Sequence, residues 1–238
     1  MLAYDGTGFH GWQRQPDVAT VQGTLAEAAR RLFPGDVRLT GASRTDAGVH
    51  ALGQTATLTA QSHLAPATVL AALNAHLPRE IRVLEAAEAA AGFDARRSAV
   101  GKRYLYLIDN GAVATPLLLR YAWHIPGRLD PTALRQALAM LHGRHDFSAF
   151  CAAPGRDVEP TCLVRALHLR QRKSLLAILI SADRFLHHMG RNVVGSALEV
   201  ARGARPPAWL GEVLDSRDRA RGGPTAAAHG LTLLRVMY

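Results

Sequence analysis

"GASRTDAGVH", residues 41–50, packs two hydroxyls, a guanidinium, a carboxylate, an imidazole and two glycines into ten positions. What flanks it decides the fold. Upstream, "VRLTGAS" (37–43) reads as a strand; downstream, "GQTATLTA" (53–60) reads as a second strand with β-compatible residues on both faces. The ten residues are therefore a loop held between two strands, a usual place for chemistry. An aspartate just ahead of a glycine is also how an ordinary turn reads, and spacing alone does not separate the two for Asp46.

Working outward, Tyr4-Asp5-Gly6 and Gly8 suggest a strand end running into a glycine-rich loop. Three residues precede Tyr4, so that first strand is expected to be short. Val21, Leu25, Ala28, Ala29 and Leu32 keep to one face of a helix that starts at Thr20 and stops at Pro34-Gly35. A helix over 66–77 and a strand over 81–86 follow. Near Ser98 the pattern restarts. In a strand over 102–109, Tyr104, Tyr106 and Ile108 alternate with Arg103, Leu105 and Leu107. Asp130-Pro131 is an N-cap followed by proline, opening a helix that runs to Gly143. Residues 161–170 and 174–182 make a hairpin, 184–202 and 209–214 make helices, and 231–238 closes the chain as a strand. Strand and helix mix without a strict βαβ rhythm. The expectation is an α+β (mixed α/β) fold with mainly antiparallel sheets, in two pattern-duplicated halves, 1–98 and 99–238, meeting at a cleft.

Composition narrows the function. The chain has 238 residues, 48% apolar, enough for a folded core. No apolar run approaches the roughly 18–20 residues a membrane helix needs, and the N-terminus lacks the layout of a secretion signal; a soluble cytoplasmic protein is expected. Cys151 and Cys162 fit neither a metal spacing nor a disulfide framework, the eleven histidines are scattered, and no metal site is indicated. The net charge is +9, and all 28 basic residues except Lys102 and Lys173 are arginine. Arginine's planar fork suits phosphate oxygens and stacks on bases, so a polyanion is the expected partner.

Two further stretches could carry chemistry. Arg103-Tyr104-Leu105-Tyr106 is what a half-buried strand wants, yet a tyrosine facing a cleft could stack on a base. In "RFLHHMGRNVVGSALEV" (184–200), Leu186, Met189, Val193, Ala197 and Val200 form a core-facing helical stripe. Arg184, His187, His188 and Arg191 fall on the other side, either a solvated face or a basic edge lining an anion site.

"YDGTGFHGWQRQ", "TVQGTLAEA", "GASRTDAGVHALGQ", "LNAHLP", "FDARRSAVGKRYLY", "DFSAF" and "FLHHMGRNVVGSALEV" occur in the order found in the tRNA pseudouridine synthase A family, and the chain resembles that family over nearly its whole length. The resemblance implies an isomerase converting uridine to pseudouridine in the anticodon stem-loop of tRNA, at positions 38–40, without cofactor or metal. It implies a homodimer whose two pseudo-symmetric halves are joined across a central basic cleft. The family's aspartate falls on Asp46, as nucleophile or base, and its cleft arginine on Arg191. Its tyrosine falls on Tyr104, to stack on the base, and Arg44 follows the pattern as a phosphate contact. The chemistry fits these types: the uracil must leave the stack, and a guanidinium within ion-pair reach favours a carboxylate's charged form. Gly190 departs from the family's pattern, which more often has a β-branched residue there. Other readings are a non-catalytic tRNA clamp, an isomerase for another RNA, and an Asp-dependent hydrolase, though no second carboxylate or metal is nominated for the last.

Binding to RNA should weaken steeply with salt. Each neutralised phosphate contributes a log–log slope of roughly −0.7 to −0.9. Titrations across a salt series measure it, and a flat response would contradict a basic binding surface.

Overall fold

In the computed structural model the described residues are 1–152 and 159–238. They form two compact units, Met1–Val100 with Thr232–Tyr238, and Gly101–Leu231.

The first unit begins with β1 (Leu2–Tyr4), α1 (Val21–Leu32), β2 (Arg38–Gly41), β3 (His50–Gln54), β4 (Ala56–Thr59), α2 (Pro66–His76) and β5 (Ile81–Val83). Helix α1 starts where expected: the Thr20 hydroxyl accepts from Gly23 N at 3.2 Å. Its inner face is Val21, Leu25, Ala26, Ala28 and Ala29. Strand β1 lies between β5 and β3, antiparallel to both, with Tyr4 opposite Ile81 and Ala51. The strand expected over 53–60 is two strands. β3 belongs to the sheet with β1, whereas β4 pairs with β2 in a separate ribbon, Gly41 opposite Ala56. The break falls at Thr55, whose carbonyl accepts from Ala42 N at 2.8 Å. An unbroken run of Thr, Ala and Leu carries no signal that the chain changes partners there.

Helix α2 fully buries one residue, Leu73. It is tied to the sheet edge by one side chain. Asn74 donates Nδ2 to the Val83 carbonyl at 2.8 Å and accepts from Val83 N at 2.9 Å. The amide thus serves the donor and the acceptor of one residue of β5. A second structural device is the turn around Asp94, whose carboxylate accepts from Arg97 N at 2.7 Å and Arg96 N at 2.9 Å. These bonds, that of Arg97 first, hold Asp94 below the usual carboxylate range.

The second unit contains β6 (Gly101–Asp109), β7 (Trp123–His124), α3 (Pro131–Ala139), β8 (Gly143–Asp146), β9 (Thr161–Arg172), β10 (Leu175–Ala182), α4 (Met189–Ala201) and α5 (Trp209–Ser216). The order β6-β10-β9-β8 is antiparallel throughout, with β7 beside β6 in parallel. Asp130 caps α3, accepting from Thr132 N at 2.8 Å and Ala133 N at 3.1 Å. Tyr104, Tyr106 and Ile108 stand opposite Ile180, Ile178 and Leu176, and all six are buried.

Helix α4 begins at Met189, later than the sequence suggests. His188 adopts φ 60°, a left-handed conformation that a continuing helix cannot contain. Ahead of it, Asp183 accepts from Leu163 N at 2.8 Å and Arg184 N at 2.7 Å, holding this stretch to β9. The expected apolar stripe Leu186, Met189, Val193, Ala197, Val200 is nonetheless buried at every position.

The last strand, β11 (Leu231–Met237), pairs in parallel with β3, Thr232 opposite His50 and Leu233 opposite Ala51. Chain order puts this strand in the segment 99–238, whereas its partner lies in the first unit. Among the described residues no helix is long and apolar enough to cross a membrane. The fold is α+β, and antiparallel pairs predominate.

Asn74→Ala strips β5 of both hydrogen bonds at Val83. It should destabilise the protein by about 1–3 kcal/mol, read as a lowered urea midpoint with unchanged slope.

Candidate active site

The loop over residues 42–49 runs extended and then turns. Val49 N donates to the Asp46 carbonyl at 3.1 Å, and Gly48 at the third turn position has φ +77°. That is the type II pattern, which demands glycine there. Along the extended part, side chains alternate in direction. Ser43 and Thr45 are buried, Arg44 is exposed and Asp46 is half-buried.

The buried members are anchored. Thr45 Oγ1 shares a 2.8 Å hydrogen bond with the Tyr4 hydroxyl. Gln54 accepts from Ser43 N at 3.2 Å and donates to the Ser43 carbonyl at 2.7 Å. His50 Nδ1 accepts from Gly6 N at 3.0 Å and lies 3.2 Å from the Asp5 carboxylate. The backbone is anchored too. Trp12 N donates to the Thr45 carbonyl at 3.0 Å and Gly48 N to the Phe9 carbonyl at 3.3 Å.

These contacts explain Gly6 and Gly11 of the first motif. Gly11 has φ +85°, and a Cβ there would sit 2.7 Å from the Thr45 carbonyl oxygen; a Cβ on Gly6 would run into the Val49 carbonyl. Gly41 lies flat against the ring of Trp12. So the residues 4–12 form a bed on which the Asp46 loop rests.

In the second unit, Tyr104 is 7% exposed on β6, and its ring meets Phe185 edge-on at 4.7 Å. Arg191 is half-buried in the first turn of α4. Its Nε donates to the Ala226 carbonyl at 2.8 Å, and Ala226 N donates to the Arg191 carbonyl at 3.2 Å. Arg184, His187 and His188 precede α4, so the basic helix edge read from the sequence is a helix residue, Arg191, preceded by a non-helical basic segment. The two histidine rings pack 3.9 Å apart.

Sequence reasoning missed the supporting polar residues. Asn192, fully buried, donates to the Phe150 carbonyl at 2.8 Å and accepts from Thr225 Oγ1 at 2.6 Å and Arg219 at 3.2 Å. Ser196 donates to the Asn192 carbonyl at 2.8 Å and accepts from Gly223 N at 2.9 Å. The available signal was Asn192 and Ser196 beside the apolar stripe of α4, and Gln54 in a strand otherwise small or apolar. Buried side chains of this kind must be paired.

Residues 1–96 and 137–238 match the family model described as tRNA pseudouridine synthase. The chain belongs to the tRNA pseudouridine synthase family. Similar proteins include the tRNA pseudouridine synthase A of Myxococcus xanthus, 40% identical over all of this chain and 90% of the relative. That of Methylobacterium nodulans is 44% identical over all of this chain and 94% of the relative. That of Chloroflexus aurantiacus is 43% identical, with 87% of its length covered. Among solved structures, a chain of a Cbf5-Nop10-Gar1 complex aligns over 99% of this chain and 57% of its own at 10% identity, with a TM-score of 0.38. Family membership makes the protein an isomerase that converts uridine in tRNA to pseudouridine, as the motifs imply.

Two glycines of these synthase motifs should behave oppositely. A Cβ at Gly190 meets only Leu231 Cδ1 at 3.8 Å, an ordinary contact. Gly190→Ala should therefore stabilise the protein by about 0.5–1 kcal/mol. Gly11→Ala combines a positive φ with collision against Thr45, and should cost about 1–3 kcal/mol and lower the rate of pseudouridine formation. Thermal melts and rate measurements on both variants test the contrast.

Proposed function

We propose that the protein forms pseudouridine in the anticodon stem-loop of tRNA, at positions 38–40, with Asp46 as the nucleophile or general base. The observation carrying this reading is the loop's geometry. Ser43 and Thr45 are spent on anchoring, while the half-buried Asp46 stands on a backbone fixed from behind at Thr45 and Gly48. A reacting group must be held in place by what surrounds it.

The reaction breaks the bond from C1′ to N1 of uracil, turns the base, forms a bond from C1′ to C5 and releases the C5 proton. The uridine must first leave the stack, at a cost of about a few kcal/mol. Arg44, exposed beside Asp46, meets a phosphate of the displaced strand. Tyr104 offers its ring to the base and its hydroxyl to the departing C5 proton. Arg191 is the second catalytic residue, a fixed cation for the anionic side of the reaction. In this reading residues 1–98 carry the aspartate loop, and 99–238 carry the tyrosine strand and the arginine helix. The protein works as a cytoplasmic homodimer, needing no cofactor.

Asp46→Asn should cut the rate of tritium release from C5 of uracil in labelled tRNA by roughly a hundred- to ten-thousand-fold. Binding of tRNA should stay within about twofold, since the contacts to phosphate dominate affinity. A variant releasing tritium at the wild-type rate would remove Asp46 from the chemistry.

A further inference from the structure

The motif "RYLY" holds two tyrosines, and the proposed function uses only Tyr104. Tyr106 is fully buried in the second unit. Its hydroxyl donates to the Ala227 carbonyl at 2.7 Å. Its ring is met by Gly230, where a Cβ would lie 2.6 Å from Cζ.

Ala227 ends a strap of backbone that is fastened at successive residues. Gly223 N is held by Ser196 and Thr225 Oγ1 by Asn192. The Pro224 carbonyl presses on Gly195, where any Cβ would collide with it. Ala226 makes the reciprocal pair with Arg191. The carbonyl that fixes Arg191 Nε therefore sits one peptide away from the carbonyl that Tyr106 holds. An Nε bond sets the plane of a guanidinium and so the direction of its Nη groups.

We infer that Tyr106 is a positioning residue for pseudouridine formation: through Ala227 it pins the strap whose Ala226 carbonyl aims Arg191. Thr225 does the same from the other side of Ala226, through Asn192. The inference rests on the proposed role of Arg191. Burial pushes the Tyr106 hydroxyl well above the usual tyrosine range, against the pull of the Arg191 charge, so the group stays a neutral donor at every working pH.

The test is single-turnover pseudouridine formation on a tRNA transcript with enzyme in excess, together with the enzyme concentration giving half-maximal rate. Tyr106→Phe removes one hydroxyl and keeps the ring. It should lower the maximal rate roughly tenfold and leave the half-saturating concentration unchanged. Thr225→Val should act in the same direction, and Thr225→Ser should restore the wild-type rate. In an Arg191→Lys background, where no Nε exists to be fixed, Tyr106→Phe should change the residual rate by less than about twofold, because the two changes act on one interaction. A wild-type rate for Tyr106→Phe overturns the inference. So does an equal tenfold drop in the Arg191→Lys background, which would show the hydroxyl acting independently of Arg191. A wild-type rate for Arg191→Lys itself instead overturns the role of Arg191, and is told apart by that variant alone.

Discussion

The arrangement of the first unit depends on two backbones lying in direct contact. Gly6 and Gly11 bring the segment 4–12 so near residues 45–49 that a single added carbon at either would meet a carbonyl. Close approach lets Trp12 N reach Thr45 and Gly48 N reach Phe9. Backbone groups shut away from water must find such partners. Given that contact, the rest of the loop follows. On the buried side of the loop the Thr45 hydroxyl is bound by Tyr4 and the Ser43 backbone by Gln54, whereas Arg44 and Asp46 alternate to the more exposed side.

The second unit reaches a similar result with different materials. Its support is the buried face of α4, where Asn192, Gly195 and Ser196 take the places of large apolar side chains. Glycine admits the Pro224 carbonyl, while Asn192 accepts from Thr225 and Ser196 from Gly223. A half-satisfied network of this kind would be worse than an apolar core, so each member constrains the others. The helix is thereby locked in rotation against the strap, and a lock on rotation is what an arginine in the helix's first turn requires.

The parts legible in the sequence were those governed by neighbours in the chain. Thr20 and Asp130 announced their helices because capping is local, and the tyrosine strand was plain from its alternation. The glycine motif and the aspartate loop were legible as a pair of motifs, but their contact was not, since nothing in either stretch says that Gly11 touches Thr45. The helix over 184–202 was overextended because Arg184 to His188 fit its period, and a left-handed His188 has no signature in composition. The two-strand reading of 53–60 and the parallel partner of Leu231–Met237 were out of reach for another reason. Parallel pairing is made through a long connection, so the partner of Leu231–Met237 is set by packing and not by turn residues, and at Thr55 the chain passes between two antiparallel partners with no turn residue to mark the change.

Under the proposed function, the two tyrosines of β6 show how a core pattern can conceal a site residue. By alternation both point to the buried face, and by burial both qualify as core. What differs is what covers them. Tyr106 is closed over by Gly230 and held by the Ala227 carbonyl, so its polar end is consumed by the fold. Tyr104, two residues earlier, is met by Phe185 in the non-helical lead-in to α4, edge to ring. Two chemically identical residues on one face of one strand thus meet different covers, and the proposed function gives them different work.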